Sequence, residues 1–166
     1  MNPFAGPPVM DGHTQLIAAL EDPNTSEREL KRLAHETDAL ANVDSAALTA
    51  LDHLDPAPGT ALCGGHALVP SIARQIETEW PQGGAAFYRD SFWVGTPRGI
   101  FVVYPDDASV YSWDWQNIEA ILPMRARGPF GRVDLLVAAR KIQICLHASQ
   151  TRVFQTLGAR YSGLEP

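Results

Sequence analysis

The chain has 166 residues, 45% of them hydrophobic and 19% charged, with a formal net charge of −6 and a pI near 5.2. That length fits one ordinary domain, or a small domain with an appendage, and the apolar fraction suffices for a core, which excludes wholesale disorder. No apolar run approaches the ~20 residues of a membrane-spanning helix, and the first dozen residues lack a basic-then-apolar leader pattern, so the sequence predicts a soluble, cytoplasmic protein.

Charge and periodicity both change at Gly83-Gly84. Residues 1–83 hold 12 Asp/Glu against 4 Lys/Arg, a net −8, whereas residues 84–166 hold 7 against 9, a net +2. The predicted organisation is therefore a lead of residues 1–12, an acidic helical region over 13–83 and a β-rich region over 84–166. In the helical region Leu16, Ile17 and Leu20 form a first apolar stripe, and Asp22 to Thr25 form a turn. Ser26 with Glu29 makes a capping-box pattern ahead of Leu30, Leu33 and Ala34. Asp44 or Ser45 caps a third helix with Ala47, Leu48, Leu51 and Leu54 inward, and Asp55 to Gly59 breaks the chain. Cys63 to His66 reads as a loop between helices. A fourth helix runs from Pro70 to Trp80, with Ile72, Ala73, Ile76 and Trp80 facing in.

From Phe87 onward the apolar residues come in short β-rich runs: Ser91–Thr96, Gly99–Tyr104, Ser109–Trp113, Asn117–Met124, Gly131–Ala138 and Arg140–His147. Val133, Leu135 and Val137 alternate with Asp134, as do Ile142, Ile144 and Leu146 with Lys141 and Gln143, the pattern of a sheet with one buried face. Thr96 to Gly99 and Pro105 to Asp107 read as tight reversals. A final helix from Ser149 aligns Val153, Phe154, Leu157 and Tyr161. The predicted fold class is α+β: a helical N-terminal region followed by a small antiparallel barrel closed by a C-terminal helix.

Two stretches resemble known families. Phe92 to Val102, with Thr96-Pro97-Arg98 at its turn, resembles the strand, Thr-x-Arg, strand signature of bacterial PH-like (pleckstrin homology-like) domains. Pro97 stands where that family has an acidic residue, and Gly99 where it has a second arginine. Trp115 to Ile121 is similar to the family's aromatic-x-x-Ile strand opening. The resemblance implies a binding scaffold without catalytic machinery of its own. Asp22 to Ala34 is similar to one unit of the variant leucine-rich repeat of bacterial proteins, but a solenoid needs at least ~3 stacked units.

Several clusters could carry chemistry. Cys63-Gly64-Gly65-His66 offers a thiol and an imidazole for a Cys63/His66-centred enzyme, and the same pair with Cys145 and His147 could supply four zinc ligands, although the spacing is not that of a zinc motif. The two cysteines otherwise read as free thiols in a reducing compartment. His13, His35 and His53 sit on helical stretches and are expected to be solvated. No phosphate-binding glycine loop, GxSxG or HExxH is present, so no cofactor and no metal are predicted and a non-enzymatic role is expected. Trp113 and Trp115 offer aromatic interaction surface, and Arg125, Arg127, Phe130 and Arg132 form a basic loop with an exposed ring. These six residues are the predicted interaction surface of a module that binds a protein partner. Weak binding of that loop to anionic lipid is the alternative, and the acidic half argues against nucleic acid. The 22 alanines and 11 arginines against only Lys31 and Lys141 are the bias of a GC-rich genome, pointing to a high-GC bacterium or its phages.

Overall fold

A computed structural model describes residues 11–79, 90–127 and 130–163; the side chains at 11–12, 75–79, 123–127 and 130 lie outside that description. The N-terminal elements follow their sequence signals. Helix α1 (Asp11–Glu21) buries Leu16, Ile17 and Leu20. Helix α2 (Glu27–Glu36) begins at Ser26, whose hydroxyl accepts from the Glu29 N–H at 3.1 Å, and it buries Leu30 and Ala34. The Glu29 carboxylate turns outward to Arg32, so the capping box is made from one side. Asp44 caps α3 (Ser45–Asp52) by accepting from the Ala46 N–H at 2.9 Å, and Ala47 and Leu51 point inward.

Residues 63–68 depart from expectation. Cys63–Leu68 is not a loop but strand β1, and it lies at the centre of the sheet. The glycine pair signals close approach here instead of a turn. A Cβ on Gly64 would lie 2.3 Å from the Trp93 carbonyl oxygen, and one on Gly65 would lie 2.2 Å from the Gln150 amide. Helix α4 (Pro70–Glu79) follows, with Ile72 and Ala73 buried; the expected inward positions of Ile76 and Trp80 lie outside the described residues.

The remaining strands are β2 (Phe92–Gly95), β3 (Gly99–Tyr104), β4 (Ser109–Asp114), β5 (Ile118–Arg127), β6 (Phe130–Val137) and β7 (Arg140–His147). They form one antiparallel sheet in the order β4-β3-β2-β1-β7-β6-β5. The sheet is not closed into a barrel, because β4 and β5, which would have to pair, are its two outer strands. Nor do residues 84–166 complete it, since β1 joins β2 to β7.

Both faces of the β2–β3 half are covered, unlike the single buried face read from the alternation in Val133–Val137 and Ile142–Leu146. On one side Trp93, Ile100, Val102 and Tyr104 pack with Val133, Leu135, Ile144 and Leu146 in the main core, which α1, α2 and α5 (Thr151–Ser162) complete. On the other, Phe92, Val94, Phe101 and Val103 meet Val43, Ala47 and Leu51 beneath α3. That explains the uninterrupted apolar run of β3, buried at every position. In α5, Val153, Phe154 and Leu157 are buried, and the Phe154 ring lies between Trp93 and Trp115 at centroid distances of 5.2 and 6.2 Å. Half-buried Tyr161 donates its hydroxyl to the Glu27 carboxylate at 3.0 Å, and Arg160 reaches the Leu20, Asp22 and Thr25 carbonyls, fixing α5 to the α1–α2 turn. No helix among the described residues is long and apolar enough to cross a membrane.

Candidate functional site

The Cys63/His66 pair of the enzyme alternative is separated by strand geometry. Cys63 and His66 are three residues apart on β1, and side chains on a strand alternate faces, so the two point to opposite sides of the sheet. Cys63 is fully buried in the main core, and desolvation pushes its thiol well above the usual cysteine range, the reverse of an activated nucleophile. The four-residue zinc set loses Cys63 for the same reason. Among the described residues no group of three His, Cys, Asp or Glu side chains is placed to hold a metal ion.

The glycines beside Cys63 serve a buried polar tie. Gln150, at the foot of α5, donates from Nε2 to the Gly64 carbonyl at 3.0 Å and accepts at Oε1 from the Trp93 indole N–H at 2.9 Å. The Thr96-Pro97-Arg98-Gly99 reversal is likewise structural. The Thr96 hydroxyl accepts from the Arg98 and Gly99 N–H groups and donates to the Pro58 carbonyl. Arg98 donates to the Pro56 and Ala57 carbonyls at 2.8 and 3.0 Å and pairs with Asp114 at 3.3 Å, so the Pro-rich segment is held against the turn of the β2–β3 hairpin.

The predicted interaction surface is not assembled as one patch. Trp115 is 1% exposed, because β4 ends at Asp114 and a short 3-10 turn (Trp115–Asn117) folds the ring onto Phe154, with its N–H donating to the Thr96 carbonyl at 2.7 Å. Trp113 stays on β4, half-buried opposite Ile100. The basic loop is instead the end of the β5–β6 hairpin: Arg125 and Arg127 belong to β5, and Arg127 pairs with Phe130 of β6. The side chains of Arg125, Arg127 and Phe130 lie outside the described residues. Arg132 is committed to its strand neighbour: Nη2 donates to one oxygen of the fully buried Asp134 carboxylate at 3.4 Å, and Nε lies 3.1 Å from the other.

The site the structure does build lies where β1 meets β7. This seam is short, with Ala67 opposite Leu146 and Leu68 opposite Cys145, and beside it opens a cleft of about 690 Å³. Ala67, Leu68, Cys145 and Leu146 make its apolar floor, with His66 from β1 and His147 from β7 on its wall. His13 of α1, and Asp38 and Asn42 of the turn that follows α2, also line it. The His66 ring packs on Phe92 at 4.7 Å, and His147 Nδ1 lies 2.6 Å from the Ser149 hydroxyl. Thus three of the five histidines in the chain reach one cleft. His13, expected to be solvated, is half-buried. Desolvation lowers its pKa, with a hydrogen bond to the Ala39 backbone and the nearby Asp38 charge opposing that shift. Cys145 is also half-buried, and its thiol is raised by desolvation, against which Arg132 acts. His35 and His53 are exposed, as expected. Two of the cleft's histidines, His66 and His147, were legible as a possible ligand pair, but nothing in the spacing of His13 pointed to them.

No protein-family model matches this chain, and no curated protein is similar to it in sequence.

Proposed function

We propose that the chain is a non-enzymatic, PH-like binding module that takes a segment of a protein partner in the cleft between α1, the 38–42 turn and the β1–β7 seam. The observation that carries this reading is the cleft itself: about 690 Å³, with an apolar floor and a rim of imidazole, amide and carboxylate groups, the size and chemistry of sites that bury a ligand and orient it by a few polar contacts. The PH-like part rests on the Thr96-x-Arg98 hairpin and on a terminal helix following an antiparallel sheet; the open sheet and the origin of β1 in residues 63–68 are departures from the expected barrel. The opposed faces of Cys63 and His66 argue against the enzyme alternative. The lipid alternative is weakened by the pairing of Arg132 with Asp134.

Affinity capture from the source cells tests the proposal. A partner retained by the wild-type chain is expected to be lost on His66→Glu or His147→Glu, two exposed positions, and kept on Leu122→Glu, an exposed position on β5. Retention by both histidine variants would refute the cleft as the site. Low-micromolar binding to anionic vesicles at physiological salt would favour the lipid reading instead.

A further inference from the structure

We propose that strand β4 is a self-pairing edge, which joins two copies of this chain by antiparallel β4–β4 pairing about a two-fold axis at Ser112. An outer strand presents unsatisfied N–H and C=O groups, and natural sheets guard such edges with proline, bulges, charge or cover. The two edges here differ in that respect. Strand β5 carries Pro123 in mid-strand and register shifts between Ile118 and Ala120 and between Met124 and Arg127. Strand β4 pairs with β3 over all six residues without a shift and contains neither proline nor glycine. Its only charge, Asp114, is paired with Arg98 at 3.3 Å.

The ladder also gives the phase of the edge. Trp115 N donates to the Arg98 carbonyl at 3.0 Å, and opposed residues of an antiparallel pair alternate between bonded and non-bonded positions. Counting along the register from that bond, Tyr111 and Trp113 bond to β3, while Val110, Ser112 and Asp114 turn their backbone groups outward. A two-fold axis at Ser112 sets Ser112 opposite its copy and Val110 opposite Asp114 of the second copy, all bonded positions. It also sets Tyr111 opposite Trp113 of the second copy, twice, in the non-bonded positions where side chains approach most closely. These are the two half-buried aromatics of β4, and they share the face of the main core. No like charges oppose one another. An unrelated strand would match the backbone alone, whereas a second copy matches the aromatics as well.

A contact of five residues per copy is smaller than the ~800 Å² per partner of a stable interface, and each copy carries −6. The dimer is therefore expected at high micromolar concentration and strengthened by salt. Sedimentation velocity on the full chain between 5 and 500 μM should show a monomer passing to a dimer. Ser112 is exposed, so Ser112→Lys should leave the circular dichroism spectrum unchanged while opposing two charges at the axis, and this variant should stay monomeric throughout. Mild oxidation of Ser112→Cys should give a disulfide-linked dimer that wild type does not form, since opposed bonded residues lie ~5.5 Å apart at Cα, within disulfide reach. A wild-type chain that stays monomeric to 500 μM, a dimer that survives Ser112→Lys, or an oxidised Ser112→Cys variant that remains monomeric would each overturn the proposal.

Discussion

Replacing Gln150 by alanine is expected to cost about 3 kcal/mol, and the partner substitution Gly65→Ala is expected to cost nearly the same without adding to it. Gln150 is 3% exposed, and its amide is bonded to both the Trp93 indole and the Gly64 carbonyl. Truncation leaves a buried donor and a buried acceptor unsatisfied, at about 1–3 kcal/mol each, with partial relief from local relaxation. A Cβ at Gly65 would lie 2.2, 2.5 and 2.7 Å from Nε2, Oε1 and Cδ of that same side chain. It must drive the amide out of place and so breaks the same two bonds. In the double variant the new methyl occupies space the amide has vacated. Its cost should remain near ~3 kcal/mol, with a coupling energy of about 2–3 kcal/mol between the sites. Each single variant should lower the Tm by roughly 6–12 °C for a domain of this size. Urea unfolding followed by far-UV circular dichroism measures all four corners of the cycle. Additive losses, or a Gln150→Ala cost under about 0.5 kcal/mol, would refute the account of the glycine pair.

Three further outcomes are expected. Val137 pairs with Arg140 across a two-residue turn in which Ala138 and Ala139 both have positive φ, 50° and 61°, so Ala139→Gly should raise stability by about 1 kcal/mol in the same titration. In a thiol-reactivity assay on the native chain, half-buried Cys145 should be modified slowly and fully buried Cys63 only as the protein unfolds. Because the His13 pKa is lowered in the folded chain from 6.5, the unfolded chain takes that proton first. Stability should therefore fall as pH drops through 6.5 toward the folded pKa, and His13→Gln should flatten that part of the pH profile.

Local signals carried much of this architecture, and non-local ones did not. The caps at Ser26 and Asp44, the apolar faces of α1 to α3 and α5, and the strand runs from Phe92 to His147 were legible because each depends on neighbours within a few residues. Strand β1 was not. Its glycines carry turn chemistry in isolation, and they make a strand only because Trp93 and Gln150, far along the chain, press against them. The missed strand concealed the open sheet, the second core under α3 and the seam beside which the cleft lies. Trp113 and Trp115 looked equivalent in sequence, yet the 3-10 turn between β4 and β5 sends one to the edge and the other into the core.

The claim that the cleft is the binding site is tested most directly by nuclear magnetic resonance on the chain titrated with the partner segment recovered by capture. The imidazole resonances of His13, His66 and His147 should move together and saturate at one stoichiometry, while the Trp113 indole signal stays in place. Unmoved histidines with a shifted Trp113 indole would contradict the account and return the binding surface to the edge of the sheet.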